Sequence, residues 1–214
     1  MTSAAARVLT LDDVLDLRAY ERARDDYRRQ VMARKRNRRV ALGPIMTLVF
    51  ECFDTVRFQV QEMARVEKII RDEAIQAELD VYNRLLPAPG ELSATVFIEL
   101  TTEEELRRWL PALVGIERHL ALAVSPGGGA EVLMVPSEPE TEHEAALTRE
   151  TVTPAVHYVR FSCTPDQVDA FGSAEEEALV ATHPAYEART VLVQPVRAEL
   201  LGDLLGTTKP LPMP

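Results

Sequence analysis

The tetrapeptide Pro126-Gly127-Gly128-Gly129 separates two apolar segments, Arg118–Val124 and Ala130–Val135. A proline followed by three glycines continues neither a helix nor a strand, so the two segments are expected to fold back on each other as a hairpin. A second hairpin is expected where Pro184-Ala185 divides Ala178–His183 from Tyr186–Val193. Val40–Leu42 and Ile45–Glu51 flank the turn dipeptide Gly43-Pro44 in the same way. Leu92–Thr101 alternates, with Ala94, Val96, Ile98 and Leu100 on one face, and Ala155–Cys163 is a further strand segment. Strands arrive in hairpins and helices in blocks. This order predicts an α+β fold with a mainly antiparallel sheet built from hairpins, rather than a doubly wound βαβ fold.

Thr10, followed by the acid-rich LDDVLDL, opens a helical N-terminal segment, and a polar helix is predicted over Leu17–Arg36. Its apolar stripe is thin (Tyr20, Ala23, Tyr27 and Val31), which suits a helix laid across a surface or a partner. Asp54 is the expected N-cap of a long central helix running to Leu85, with a break allowed near Asp72 and a stop at Pro87, Pro89 and Gly90. Thr102 and Glu105 form a capping-box pair before a short helix that Pro111 ends or kinks. TPDQVDAF and Val196–Leu205 supply two more short helices. Residues 1–214 are expected to form a single domain, large enough to bury a real core. Residues 10–39 are its N-terminal helical segment and 40–205 its α+β core. Residues 137–153 form an acidic exposed loop and 206–214 a tail.

Several function classes lose support from composition. No continuous apolar run has the length of a membrane span or a signal peptide, so the expected compartment is the cytoplasm. Cys52 and Cys163 are far apart and form no CxxC, which favours two reduced thiols over a disulfide or zinc site. His119, His143, His157 and His183 show no i, i+3 or i+4 spacing, and Glu62, Glu67 and Glu73 lack an ExxH partner. Metal and cofactor are accordingly expected to be none. No GxSxG and no helix-opening glycine loop is present. The chain carries a net charge of −10, yet ten cations face only three acids between Arg18 and Arg39. Such asymmetry points to an acidic partner or to the chain's own acidic surface. Without aromatic interleaving or a recognition module, nucleic acid is a minor alternative. Arg28, Arg29, Arg34 and Arg36 are the partner-binding candidates.

The central helix contains a conflict. Advancing about 100° per residue, Val56, Val60, Met63, Val66, Ile69 and Ile70 define one broad apolar face, with Arg57 and Gln61 opposite on a solvated one. Gln59 falls near the centre of the apolar arc, Thr55 and Glu62 within it, and Glu67 at its edge. Burying an unpaired amide costs about 1–3 kcal/mol, and a carboxylate more. Those residues therefore need partners, for which Arg38, Arg39, Glu51, His157, Tyr82 and His183 are available. Three readings follow: a structural polar network, a pocket for a ligand or a reaction, and a subunit interface. Arg39, Glu51, Thr55, Gln59, Glu62 and Glu67 are the network or ligand candidates.

The segments RRVALGP, TLVFE, DTVRFQVQEMARVE, ELDVYNRLLP and LSATVFIE resemble the bacterial family known as domain of unknown function 3501. HPAY and VRAELLGDLL are similar to its C-terminal part, so the resemblance spans about Leu9 to Leu205. Its family-like positions are Arg39, Gly43, Pro44, Glu51, Thr55, Gln59, Glu62, Met63, Arg65 and Glu67; Cys52 is not among them. The resemblance brings no activity. It implies a redox or peroxide-stress setting with rubrerythrin-like or iron–sulfur oxidoreductase partners. The resulting expectation is a non-catalytic accessory or interaction protein of such a system. An enzyme or small-ligand binder with a pocket around Glu62 and Gln59 is the alternative.

Overall fold

The computed structural model describes residues 7–140 and 151–213. Among the described residues eight strands form one sheet: β1 (Arg39–Ala41), β2 (Met46–Phe50), β3 (Glu91–Ile98), β4 (Leu120–Ser125), β5 (Leu133–Pro139), β6 (Val156–Ser162), β7 (Glu176–His183) and β8 (Tyr186–Val191). Their spatial order is β1-β2-β3-β6-β5-β4-β7-β8, and every neighbouring pair is antiparallel. The turn at Pro126–Gly129 joins β4 to β5, with Leu122 opposite Val135, and Pro184-Ala185 joins β7 to β8, with His183 opposite Tyr186.

The sheet nearly closes on itself. Its two edge strands, β1 and β8, are joined through side chains: the Tyr186 hydroxyl donates to the Leu42 carbonyl at 2.5 Å, and the Thr190 hydroxyl to the Ala41 carbonyl at 2.7 Å. These bonds cover backbone groups that an open sheet edge would leave unpaired. Period-two alternation then sends one row of each strand inward, including Leu48, Phe50, Leu92, Ala94, Val96, Leu122, Val159, Phe161 and Leu179.

Among the described residues six α-helices accompany the sheet: α1 (Leu17–Arg36), α2 (Phe53–Val66), α3 (Asp72–Tyr82), α4 (Glu103–Ala112), α5 (Pro165–Ser173) and α6 (Val196–Leu204). Among the described residues none is long and apolar enough to cross a membrane. Val168 and Phe171 of α5, with Leu200 and Leu204 of α6, pack into the inner core. On the outside, Val56, Val60 and Ala64 of α2 meet Ile75 and Leu79 of α3, while α1 lies on α2 through Tyr20, Tyr27, Val31 and Phe58. The capping box expected at α4 is present, with the Thr102 hydroxyl accepting from the Glu105 N–H and the Glu105 carboxylate from the Thr102 N–H. Pro111 sits in the last turn of α4, where the chain is already leaving the helix.

Two expectations change. The long central helix over Asp54–Leu85 is two helices. α2 stops at Val66, Lys68 takes a left-handed φ of 55°, and α3 restarts at Asp72. The acidic loop expected over Ser137–Thr153 begins too early. Ser137–Pro139 belong to β5 and pair with β6. Ser137 is buried, its hydroxyl meeting the carbonyls of Glu117 and Leu120. Thr153 is buried as well, and residues 141–150 of that expectation lie outside the described residues.

Sheet closure gives a direct prediction. Gly43 has φ +69°, and a Cβ there would lie 2.4 Å from the Tyr186 hydroxyl oxygen. Gly43→Ala is therefore both strained and clashing, whereas Tyr186→Phe only removes the hydrogen bonding of one hydroxyl. In urea unfolding, Tyr186→Phe is expected to cost about 1–2 kcal/mol and Gly43→Ala more; equal or negligible losses would contradict this closure.

Candidate functional site

The outer face of β2, β3 and β6 is where helices and sheet leave a space between them. Residues facing outward alternate with the core row: Val49 and Glu51 on β2 and beyond its end, Thr95 and Phe97 on β3, Val156 and Tyr158 on β6. Arg39, Val49, Thr95 and Tyr158 are successive cross-strand partners, so they form one row across four strands. Val56 and Gln59 of α2, Tyr82 and Leu85 at the end of α3, and Lys35 of α1 complete the walls of a cavity of about 330 Å³. That is at the lower end of the range of small-molecule pockets.

The wall is apolar at Val49, Val56 and Leu85, all buried. Its polar groups are few and differ in role. Glu51 is buried, and one of its carboxylate oxygens accepts from the Thr95 hydroxyl at 2.6 Å while the other accepts from the Thr55 hydroxyl. Thr55 also accepts from the N–H of Cys52 at 2.9 Å, so it caps the start of α2 as it holds Glu51. Arg39 and Gln59 are exposed, and Arg39 pairs with the half-exposed Glu99. Lys35 is part-exposed, with its ammonium 5.8 Å from the Phe58 ring. Burial pushes the Tyr158 hydroxyl above its ordinary range, with the nearby Tyr82 and Glu51 adding to that shift.

Of the six network or ligand candidates, the structure brings Arg39, Glu51 and Gln59 to this cavity, with Thr55 directly behind Glu51. Glu62 is elsewhere. Its carboxylate is held by Arg24 through two hydrogen bonds of 2.8 Å and by the Tyr20 hydroxyl at 2.6 Å, joining α2 to α1. Glu67 is exposed at the C-cap of α2. Neither Arg38 nor Arg39 meets Glu62. Arg38 is fully buried and reaches α6 instead, at 2.6 Å from Asp203 and 3.0 Å from Glu199.

The helical projection of α2 is also corrected. Its open side carries Gln59 and Val66, close to the centre of the expected apolar arc, while Arg57 and Gln61, expected in solvent, are 2% and 4% exposed. Two causes combine. Ile69 and Ile70, which helped to draw the arc, lie beyond the helix end, and Ile70 is 83% exposed. The polar side is covered by α1 and the tail. Gln61 holds both backbone groups of Leu15 at 2.9 and 3.0 Å, and Arg57 donates to the Tyr27 hydroxyl at 2.7 Å and the Leu211 carbonyl at 3.1 Å.

The partner-binding candidates divide similarly. Arg34 is pinned within the chain, 2.9 Å from the fully buried Asp54 and donating to the Lys209 carbonyl at 3.0 Å. Burial pushes the Asp54 carboxyl up from the carboxylate range, opposed by the Leu211 N–H, Arg34 and Arg57. Arg28, Arg29 and Arg36 are exposed, and Arg29 pairs with Asp26 within α1.

Sequence reasoning missed Thr95, Phe97, Tyr158 and Lys35 as lining residues. A signal existed for Tyr158: His157, Val159 and Phe161 share the inner face, so Tyr158 must face outward. His157 lies inside, with a ring nitrogen 3.0 Å from the Thr153 hydroxyl; the His183 ring stacks edge-on against His119. Both cysteines are free thiols, and burial pushes Cys52 and Cys163 up, the latter to about 11, which disfavours reactive thiolates. Among the described residues, no group of three or more His, Cys, Asp or Glu side chains is arranged to hold a metal ion.

The pairing of Glu62 sets a pH dependence. Its hydrogen bonds from Arg24 hold the carboxyl below the usual range, with Tyr20 assisting. A carboxyl lowered on folding stabilises the protein above its unfolded value and loses that contribution as pH falls through the folded value. Glu62→Gln is expected to cost about 1 kcal/mol at neutral pH, with the difference from wild type shrinking under acid. A difference that stays constant down the pH series in urea unfolding would contradict it.

A family profile described as "Protein of unknown function (DUF3501)" matches residues 8–204. A crystal structure of a novel protein of unknown function from Burkholderia pseudomallei K96243 is similar at 34% identity, with a TM-score of 0.82. The match covers 92% of this chain and 100% of that one. No curated protein matches the chain significantly.

Proposed function

Since the chain belongs to the DUF3501 family, we propose that it is a small-ligand-binding protein whose site is the cavity between α2 and the outer face of β2, β3 and β6. The observation that carries this reading is convergence. Arg39, Glu51 and Gln59 lie apart in sequence and on different elements, yet all three line one cavity of about 330 Å³. A buried carboxylate in an apolar wall, with cationic and amide groups at the mouth, is the composition of a site that orients a small molecule. Glu62, by contrast, ties α1 to α2 and supports the site from outside it.

The test uses native mass spectrometry and thermal unfolding of the full chain. Protein purified under non-denaturing conditions is expected to carry a small-molecule adduct, or to gain one from a fragment library. Gln59→Trp, placed at the exposed mouth, is expected to remove it without loss of stability. A bound ligand at 100 times its Kd adds about 2.7 kcal/mol, which for a chain of this size raises Tm by roughly 5–10 °C. No adduct, together with no shift from any fragment, would overturn the reading.

A second reading concerns α1. Arg28, Arg29 and Arg36 remain exposed on one helix, and this surface supports docking to an acidic partner. The redox or peroxide-stress setting implied by the family resemblance would make that partner a rubrerythrin-like or iron–sulfur oxidoreductase protein. Recovery on immobilised protein is expected at low salt, weakening above 0.5 M salt and vanishing when all three arginines become Glu. Equal recovery by the triple variant, or none by wild type, would dismiss this role.

A further inference from the structure

The chemical class of the ligand can be argued from the cavity lining, and this step rests on the cavity reading above. Glu51 is 8% exposed, and the donors it receives are the hydroxyls of Thr95 and Thr55. Both are neutral, and no ion pair to Glu51 forms among the described residues. A buried carboxylate held only by neutral donors favours a cation beside it. Three aromatic side chains, Tyr82, Phe97 and Tyr158, line the same space. Aromatic ring faces attract cations, and aromatic side chains grouped with a carboxylate form the usual recognition set for an ammonium group. The opposite charge stands at the mouth, where Lys35 and Arg39 lie.

We infer that the cavity takes a zwitterionic small molecule, its ammonium beside Glu51 and the three aromatic side chains, its anionic group at Lys35 and Arg39. The spacing suits one molecule. Arg39 is the cross-strand partner of Val49, and Glu51 lies two residues beyond Val49 on the same face. Sheet geometry therefore separates their backbones by ~8 Å. The apolar body between the two charges meets Val49, Val56 and Leu85. Arg39 is free to change partner, because its ion pair with Glu99 is about half exposed on both sides and such pairs hold weakly. An amine without the anion would face Lys35 and Arg39 uncompensated, and an anion without the amine would leave Glu51 unmatched.

Methyl-detected NMR of the full chain, labelled at Val and Leu, tests this with two matched probe series. One is 6-aminohexanoate, hexylamine, hexanoate and 1-hexanol; the other is 4-(aminomethyl)benzoate, 4-methylbenzylamine, 4-methylbenzoate and 4-methylbenzyl alcohol, so that each zwitterion carries its charges at opposite ends of an apolar body. The zwitterion of at least one series is expected to shift the Val49, Val56 and Leu85 methyls with a Kd at least tenfold below those of its relatives. Glu51→Gln, nearly isosteric, should weaken the zwitterion at least tenfold and leave the alcohol unchanged. Lys35→Ala with Arg39→Ala should erase the advantage over the amine. If the anion or alcohol binds as tightly as the zwitterion, or Glu51→Gln has no effect, the ligand class is wrong while the cavity still binds. If no probe moves those methyls, the cavity reading fails with it.

Discussion

The near-closure of the eight-stranded sheet is the constraint on which the rest depends. Once β1 and β8 are bridged through Tyr186 and Thr190, each strand has a true inside, and the alternating apolar row must fill it. The other row then faces outward. On β2, β3 and β6 that outward row is not polar enough for water, since it carries Val49, Phe97, Val156 and Tyr158. α2 and α3 cover it. Helices and a curved sheet do not meet flush along their whole length, and the cavity holding Glu51 is the space that remains.

Charge decides how the helices sit. Arg38 is sealed against Asp203 and Glu199, and Asp54 is sealed among Arg34, Arg57 and the N–H of Leu211. Removing charges from water is costly, and hydrophobic replacements of such pairs are often as stable. What these pairs supply is position. Arg38 links the entry to β1 with α6, and Asp54 links the start of α2 with α1 and the C-terminal segment. The cationic bias of Arg18–Arg39 is thus partly explained inside the molecule, with Arg24, Arg34 and Arg38 each committed to an acid of another helix. Arg28, Arg29 and Arg36 stay exposed on its outer side.

These two features bear on function together. A cavity needs walls that do not collapse, and Thr55 provides one anchor by capping α2 while holding Glu51. Glu62 provides another by fastening α1, which carries Lys35, to the same helix. On α2, Gln59 thus lines the cavity, while Thr55 and Glu62 hold its surroundings in place.

Turns and alternation were legible because they are local. Pro126–Gly129, Pro184-Ala185 and the alternation of Leu92–Thr101 act over a few residues through backbone sterics and side-chain period, and the antiparallel mixed fold follows from them. The face of α2 was not legible, because burial is a property of what covers a residue. Arg57 and Gln61 look solvated in any helical projection, yet α1 and the segment around Leu211 close over them and satisfy their polar groups. Gln59 looks buried, yet it stands at a cavity mouth because Ile69 and Ile70 lie past the helix end. By itself the sequence determined the strands, the turns and the need for polar partners along α2. Only the tertiary structure decided which partners those are, since residues far apart in the chain meet only after the sheet has closed and the helices have docked.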